Sequence, residues 1–219
     1  MYRLLFEKKG NAIWISHLDL MRLFQRAFKR ADLPLTHTQG YNPRPSVSIA
    51  LPLSVGVESN CELLDFDLDG EQIPPNEVCE RLNKALVDGI RVREVYTNGR
   101  KLRDLALLKS VLTFEYDRGI PETAEQALNA LFHSESVIVP KRTKNGMQDQ
   151  DIIQMIRELT IERISDQELT VTVLACCQNP TLNPMQLVAA VNMHAPEAAP
   201  DFARCSRLEI YDTQNYVFR

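Results

Sequence analysis

Four cations, Arg22, Arg26, Lys29 and Arg30, recur at spacings of three and four residues, which on a helix places them on one side. None has an acid four residues further along to neutralise it. Like charges at this spacing repel by about 0.2–0.5 kcal/mol per pair. An anion docked on that side would relieve the repulsion, and phosphate is the natural one. The alternative is the solvated face of an ordinary surface helix. The stretch that follows, Thr36 to Pro45, carries His37, Gly40, Tyr41, Asn42, Pro43, Arg44 and Pro45. Tyr41 offers a ring on which a base can stack, and Arg44 a planar fork that grips a phosphate with two donors. The competing reading is a rigid corner whose prolines prevent mispairing.

Other chemistry-bearing residues are sparse. His17 lies at the start of the basic helix and His37 in the loop beyond it, a pair with the types needed for acid–base or metal chemistry. No acid or cysteine cluster accompanies them, and a helix-start histidine satisfied by local hydrogen bonds is the alternative. Glu62, Asp65, Asp67 and Asp69 supply carboxylates, but the aspartates alternate with Leu64, Phe66 and Leu68, which reads as the solvent side of a strand. His133 and His194 lie near helix ends, where a cation suits the dipole. Five cysteines, Cys61, Cys79, Cys176, Cys177 and Cys205, have no metal-ligand spacing and an odd count, so reduced core thiols are expected. There is no glycine-rich phosphate loop, Walker motif or GxSxG. The residues therefore name no catalytic group and no metal site.

The helix that must position the cations begins at Ser16, with Asp19 three residues on, a capping-box-like start. Leu18, Met21, Phe24, Phe28 and Ala31 form the expected buried stripe, and Pro34 ends the pattern. Asn42 and Arg44 each precede a proline and are pushed toward extended geometry, while Gly40 is free to take positive φ. The loop should be stiff. Around this stretch the order of elements is a strand at Tyr2–Lys8, the helix, a strand at 47–51 and a strand at 64–68. A helix opened by Pro74-Pro75 and a strand at Ile90–Tyr96 follow. Thr97 to Asp104 reads as a linker. The second half repeats the order with an insertion: a strand near 111–116, a helix from Pro121, a short strand at 137–139 and a charged excursion at 143–149. Then come a helix over Asp151–Arg157, a hairpin of Leu159–Ile164 with Leu169–Cys176, a helix capped by Asn183, and a strand at Arg207–Tyr211. The expected fold is α+β, two tandem ferredoxin-like (βαββαβ) units at 1–100 and 105–219.

At 219 residues the chain can bury one real core or two small ones. The net charge of −4 is unevenly placed: residues 1–104 carry 15 Lys and Arg against 14 Asp and Glu, and residues 105–219 carry 10 against 15. That argues against a general nucleic-acid coat and leaves room for a local basic patch. No apolar run approaches ~20 residues, so no membrane span is expected. The opening MYRLLFEKKG has charges where a signal peptide needs an apolar core, which points to the cytoplasm.

The pieces SHLDLMR at Ser16–Arg22, RAFKRADLP at Arg26–Pro34, GYNPRP at Gly40–Pro45 and ALPLSVGVES at Ala50–Ser59 resemble the N-terminal signature of the uncharacterised bacterial radical-SAM-linked (radical-SAM-associated) proteins. The resemblance is specific across about the first 70 residues and looser beyond. It implies a partner radical-SAM protein, and a link to RNA or ribosomal components through the neighbourhood in which that family is encoded. This chain lacks the cluster-binding cysteine triplet, so the resemblance implies a standalone, non-catalytic accessory or substrate-binding member. The iron–sulfur cluster and S-adenosylmethionine are then expected only in the partner enzyme, with no cofactor in this chain. The motif residues carried over are Ser16, His17, Asp19, Arg22, Arg26, Gly40, Asn42, Pro43 and Arg44. The alternative is an RNA-processing or RNA-modifying enzyme built on tandem ferredoxin-like domains, with His17 as a general base.

Overall fold

A computed structural model describes residues 1–143 and 146–219. The chain is α+β and divides into two compact units, one of residues 1–104 with 218–219 and one of residues 105–217. In the first unit the order is β1 (Tyr2–Lys8), α1 (His17–Arg30), β2 (Val47–Ile49), β3 (Val57–Phe66), α2 (Pro75–Ala85) and β4 (Ile90–Tyr96). Its strands lie in the order β4-β1-β3-β2, every pair antiparallel. The helices bury their apolar stripes against this sheet: Phe24 meets Phe6 edge-on at 4.8 Å between centroids, and Phe28 meets Phe66 at 4.7 Å. Val78 and Leu82 of α2 join the same core, with Leu4, Leu64 and Val92 beneath them.

The second unit runs β5 (Leu105–Glu115), α3 (Ala124–Phe132), β6 (Ile138–Thr143), β7 (Gly146–Asp151), β8 (Ile156–Arg163), β9 (Glu168–Cys176), α4 (Met185–His194) and β10 (Phe202–Asp212). Its main sheet is β10-β5-β9-β8, again antiparallel, while β6 and β7 form a separate two-stranded ribbon. The charged excursion expected at 143–149 is part of that ribbon, except that 144 and 145 lie outside the described residues.

Three expectations need correction. The helix expected over Asp151–Arg157 is one 3-10 turn, Ile153–Met155. The Asp151 carboxylate accepts from the amides of Val137 and Ile153 and closes that turn, and from Ile156 onward the backbone pairs with β9. Along β1 the charged Arg3 and Glu7 alternate with Leu4 and Phe6, a pattern that by itself reads as a solvent side, yet Arg3 is only 2% exposed. Its guanidinium is held by both Asp65 oxygens, at 2.5 and 2.9 Å, and lies 5.6 Å from the Phe218 ring centroid. The acidic side of β3 is likewise not a solvent face throughout, because Glu62 is fully buried. Glu62 shares its parity with Leu64 and Phe66 and so points to the helix-covered side of the sheet. All five cysteines are free thiols, four of them buried. Burial pushes Cys177 and Cys205 up to about 11. No helix among the described residues is long and apolar enough to cross a membrane.

Candidate functional site

The start of α1 is built as its residues dictate. Ser16 is the N-cap, and its Oγ accepts from the Asp19 amide at 3.2 Å and donates to the Asp19 carboxylate at 2.8 Å. Asp19 in turn receives Arg22 at 2.9 Å. Those hydrogen bonds, Ser16 first and Arg22 second, hold the Asp19 carboxyl below the usual aspartate range. Arg22 is thus not one of the uncompensated cations that the spacing predicted: its acid lies three residues before it rather than four after.

The buried stripe is also rotated from the expected one. Leu20, Phe24, Ala27 and Phe28 are buried, whereas Leu18 is 66% exposed and Met21 and Ala31 only flank the core. The reason lies in spacing: Leu20, Phe24, Ala27, Phe28 and Ala31 form a complete i, i+4, i+7, i+8, i+11 series, and Leu18 falls outside it.

The other three cations make no ion pair with a carboxylate among the described residues, although the charge of Arg26 also reaches Asp19. Arg26 donates to the carbonyl of Arg22 at 3.3 Å and Arg30 to the carbonyl of Ala85 at 2.5 Å, while Lys29 is exposed with no internal partner for its ammonium. Two clefts flank them. One, of about 370 Å³, has Ile15, Leu23 and Val87 as apolar wall and Asp19, Arg26 and Arg30 as charged rim. The other, of about 590 Å³, lies between the end of α1 and the base of the loop and includes Lys29, Asp32 and His37.

The loop is pinned at its base and open at its tip. Thr36 donates its amide to Asp67 O and Ser46 to Thr36 O, at 2.9 and 2.8 Å. Thr38 N reaches Arg44 O at 2.8 Å, and the Arg44 amide returns to Thr38 Oγ1 at 3.1 Å. Gly40 takes φ +142°, in the region where a side chain is rarely tolerated. Tyr41 is fully exposed, and Asn42, Pro43 and Arg44 are exposed beside it. The loop base adjoins Lys29 across the larger cleft, but the tip residues are not among those that line it. His17 and His37 do not form a pair. His17 opens α1, whereas His37 shares a cleft with Lys29, which a helical rise of 1.5 Å per residue puts roughly 18 Å along the helix from His17. Among the described residues no group of three or more His, Cys, Asp or Glu could hold a metal ion.

Two features escaped the sequence reading. Lys8, 1% exposed, donates Nζ to the carbonyls of Ile13 and Ile15 at 3.2 and 2.8 Å, directly beneath the start of α1. Burial pulls its ammonium below the ordinary lysine value and the charge of Glu62 opposes that pull. The signal was present: Lys8 has the parity of Leu4 and Phe6, and Glu62 that of Leu64 and Phe66. The second is Asp32, with φ +52° just past α1. No glycine follows the helix to announce a left-handed residue there.

The profile of a family described as "Uncharacterized protein conserved in bacteria (DUF2344)" matches residues 1–184. No curated protein matches. Among solved structures, a chain of the crystal structure of a Cbf5-Nop10-Gar1 complex is similar at 10% identity and a TM-score of 0.56, over 95% of this chain and 48% of that one. This chain therefore spans about half the length of that relative, and the likeness is one of fold. An unknown protein from Galdieria sulphuraria aligns at 11% identity over 94% of this chain and 95% of that one, with a TM-score of 0.27.

Proposed function

The chain belongs to that bacterial family, and from this premise we propose that it is a non-catalytic accessory protein that binds substrate for a radical-SAM enzyme and presents RNA or a ribosomal component on α1 and the loop. The observation that carries the reading is the row Arg26, Lys29 and Arg30, none of them ion-paired to a carboxylate among the described residues, set between two clefts and beside a base-pinned loop with an exposed tyrosine and arginine. Anions are what such a surface receives: each bound phosphate relieves repulsion among the cations and releases counterions.

The partner is supported by the resemblance carried by SHLDLMR and GYNPRP to radical-SAM-linked proteins. In this reading the iron–sulfur cluster and S-adenosylmethionine belong to the partner enzyme, and the complex works in the cytoplasm. The fold reading that goes with it is two tandem ferredoxin-like units, supported by the shared arrangement in which the last strand lies beside the first, then the third, then the second. Affinity capture of the tagged chain from cells, with and without nuclease, tests the proposal. Recovery of a radical-SAM protein together with RNA is expected. Recovery of neither at low salt would overturn it.

A further inference from the structure

We propose that the cleft between the end of α1 and the base of the loop is a subsite for one unstacked guanine nucleotide, Asp32 reading the base and Lys29 and His37 holding its phosphate; this rests on the RNA-binding reading above and deepens it. The volume, about 590 Å³, lies in the range of sites that enclose small ligands. Pro34, Leu35 and Pro45 give it accessible apolar walls against which a flat heterocycle can pack, with buried Phe28 and Leu33 behind them. At its rim the side chains of Gln25, Lys29, Asp32 and His37 make no hydrogen bond or ion pair among the described residues. The cleft therefore brings together exposed donors and one exposed carboxylate, none engaged by the protein's own groups, with apolar walls.

Asp32 identifies the ligand. It occupies the residue after the helix cap, where Leu33 N bonds Phe28 O at 3.0 Å and Asp32 N reaches Lys29 O at 3.4 Å. This is the paired closure that usually places glycine in the left-handed position, and Asp32 takes φ +52° instead. Its charge also stands at the negative end of the helix dipole. Glycine would take the left-handed position with less strain and a cation would suit the dipole better, and no internal partner for the carboxylate offsets either difference. A carboxylate placed in a left-handed position at the edge of a cleft, without a partner in the protein, points to a ligand contact. An ionised carboxylate only accepts hydrogen bonds, and its two oxygens match two adjacent N–H donors. Guanine presents that pair on its base-pairing edge; uracil offers one donor between two carbonyl oxygens. Lys29 supplies the point charge for the phosphate on the same rim.

The test uses the full chain and four 5′-mononucleotides, GMP, AMP, CMP and UMP, with binding followed by NMR shift titration. GMP should bind tightest. Asp32→Gly relieves the left-handed strain and should melt no lower than the parent, yet cut the preference for GMP over UMP by about tenfold or more. Lys29→Gln should weaken all four nucleotides alike. Equal binding of the four, no binding of any, or a preference unchanged in Asp32→Gly would overturn the subsite. RNA titrations on the same samples separate the two levels. Salt-sensitive RNA binding without nucleotide preference removes the subsite and leaves the RNA reading intact. GMP selectivity without RNA binding sustains the subsite and removes the RNA reading.

Discussion

Reversing two charges, Arg26→Glu with Arg30→Glu, should change the salt dependence of RNA binding by a calculable amount. Arg26, Lys29 and Arg30 make no ion pair among the described residues, and Arg44 is exposed on the loop. If each neutralises one phosphate of a single strand, log affinity falls against log salt with a slope of about −2.8, at ~0.7 per contact. Raising salt from about 50 to about 200 mM then weakens binding roughly 50-fold. The double reversal removes two contacts, which leaves a slope of about −1.4 and a loss of roughly sevenfold over the same range. Folding should survive, because Arg26 and Arg30 are exposed and donate only to backbone carbonyls, and surface substitutions of this kind stay within about 0.5 kcal/mol. The Asp19–Arg22 pair is left in place as an internal control on the helix start. Filter binding across the salt series reads both slopes. A parent affinity that ignores salt, or a slope that the reversal leaves unchanged, refutes the reasoning.

Lys8→Met removes the cation that faces buried Glu62 and should cost roughly 3 kcal/mol or more in urea unfolding, while Lys8→Met with Glu62→Leu should recover most of the loss. Ser16→Ala removes the cap on Asp19 N and should cost about 1 kcal/mol, read as a lower melting temperature. Asp19 has a folded pKa below its unfolded one, so its contribution is complete above the ordinary aspartate range and lost as pH falls through the folded value. The stability difference between the parent and Asp19→Asn should accordingly vanish in acid. Phe24→Ala empties a fully buried ring site against Phe6 and should cost about 3–5 kcal/mol by denaturant titration.

Much of the first unit was legible because local signals and tertiary packing agree there. Ser16 caps α1 as its spacing with Asp19 implies, Pro34 follows the helix end, and Gly40 takes the positive φ expected of it. Where the reading failed, a contact distant in sequence decided. Arg3 alternates like a surface residue and is buried because Asp65, 62 residues away, receives it. Glu62 reads as one of an acidic row and is buried on the helix-covered side of β3 near Lys8. Leu18 is apolar enough for a stripe, but the completed series from Leu20 to Ala31 turns it outward. The basic row was visible as a pattern, while its division between two clefts was not, since Val87 and Pro45 reach those clefts only through the fold. Asp32 carried no sequence signal, because aspartate after a helix is ordinary and only its φ sets it apart.

Ultraviolet crosslinking of the chain to RNA in cells, with the modified peptides identified by mass spectrometry, addresses the surface of α1 and the loop most directly. Crosslinks should concentrate on Tyr41 and on the peptides spanning residues 22–30 and 36–45. Crosslinks confined to residues 105–217, or a chain recovered without RNA, would contradict the assignment.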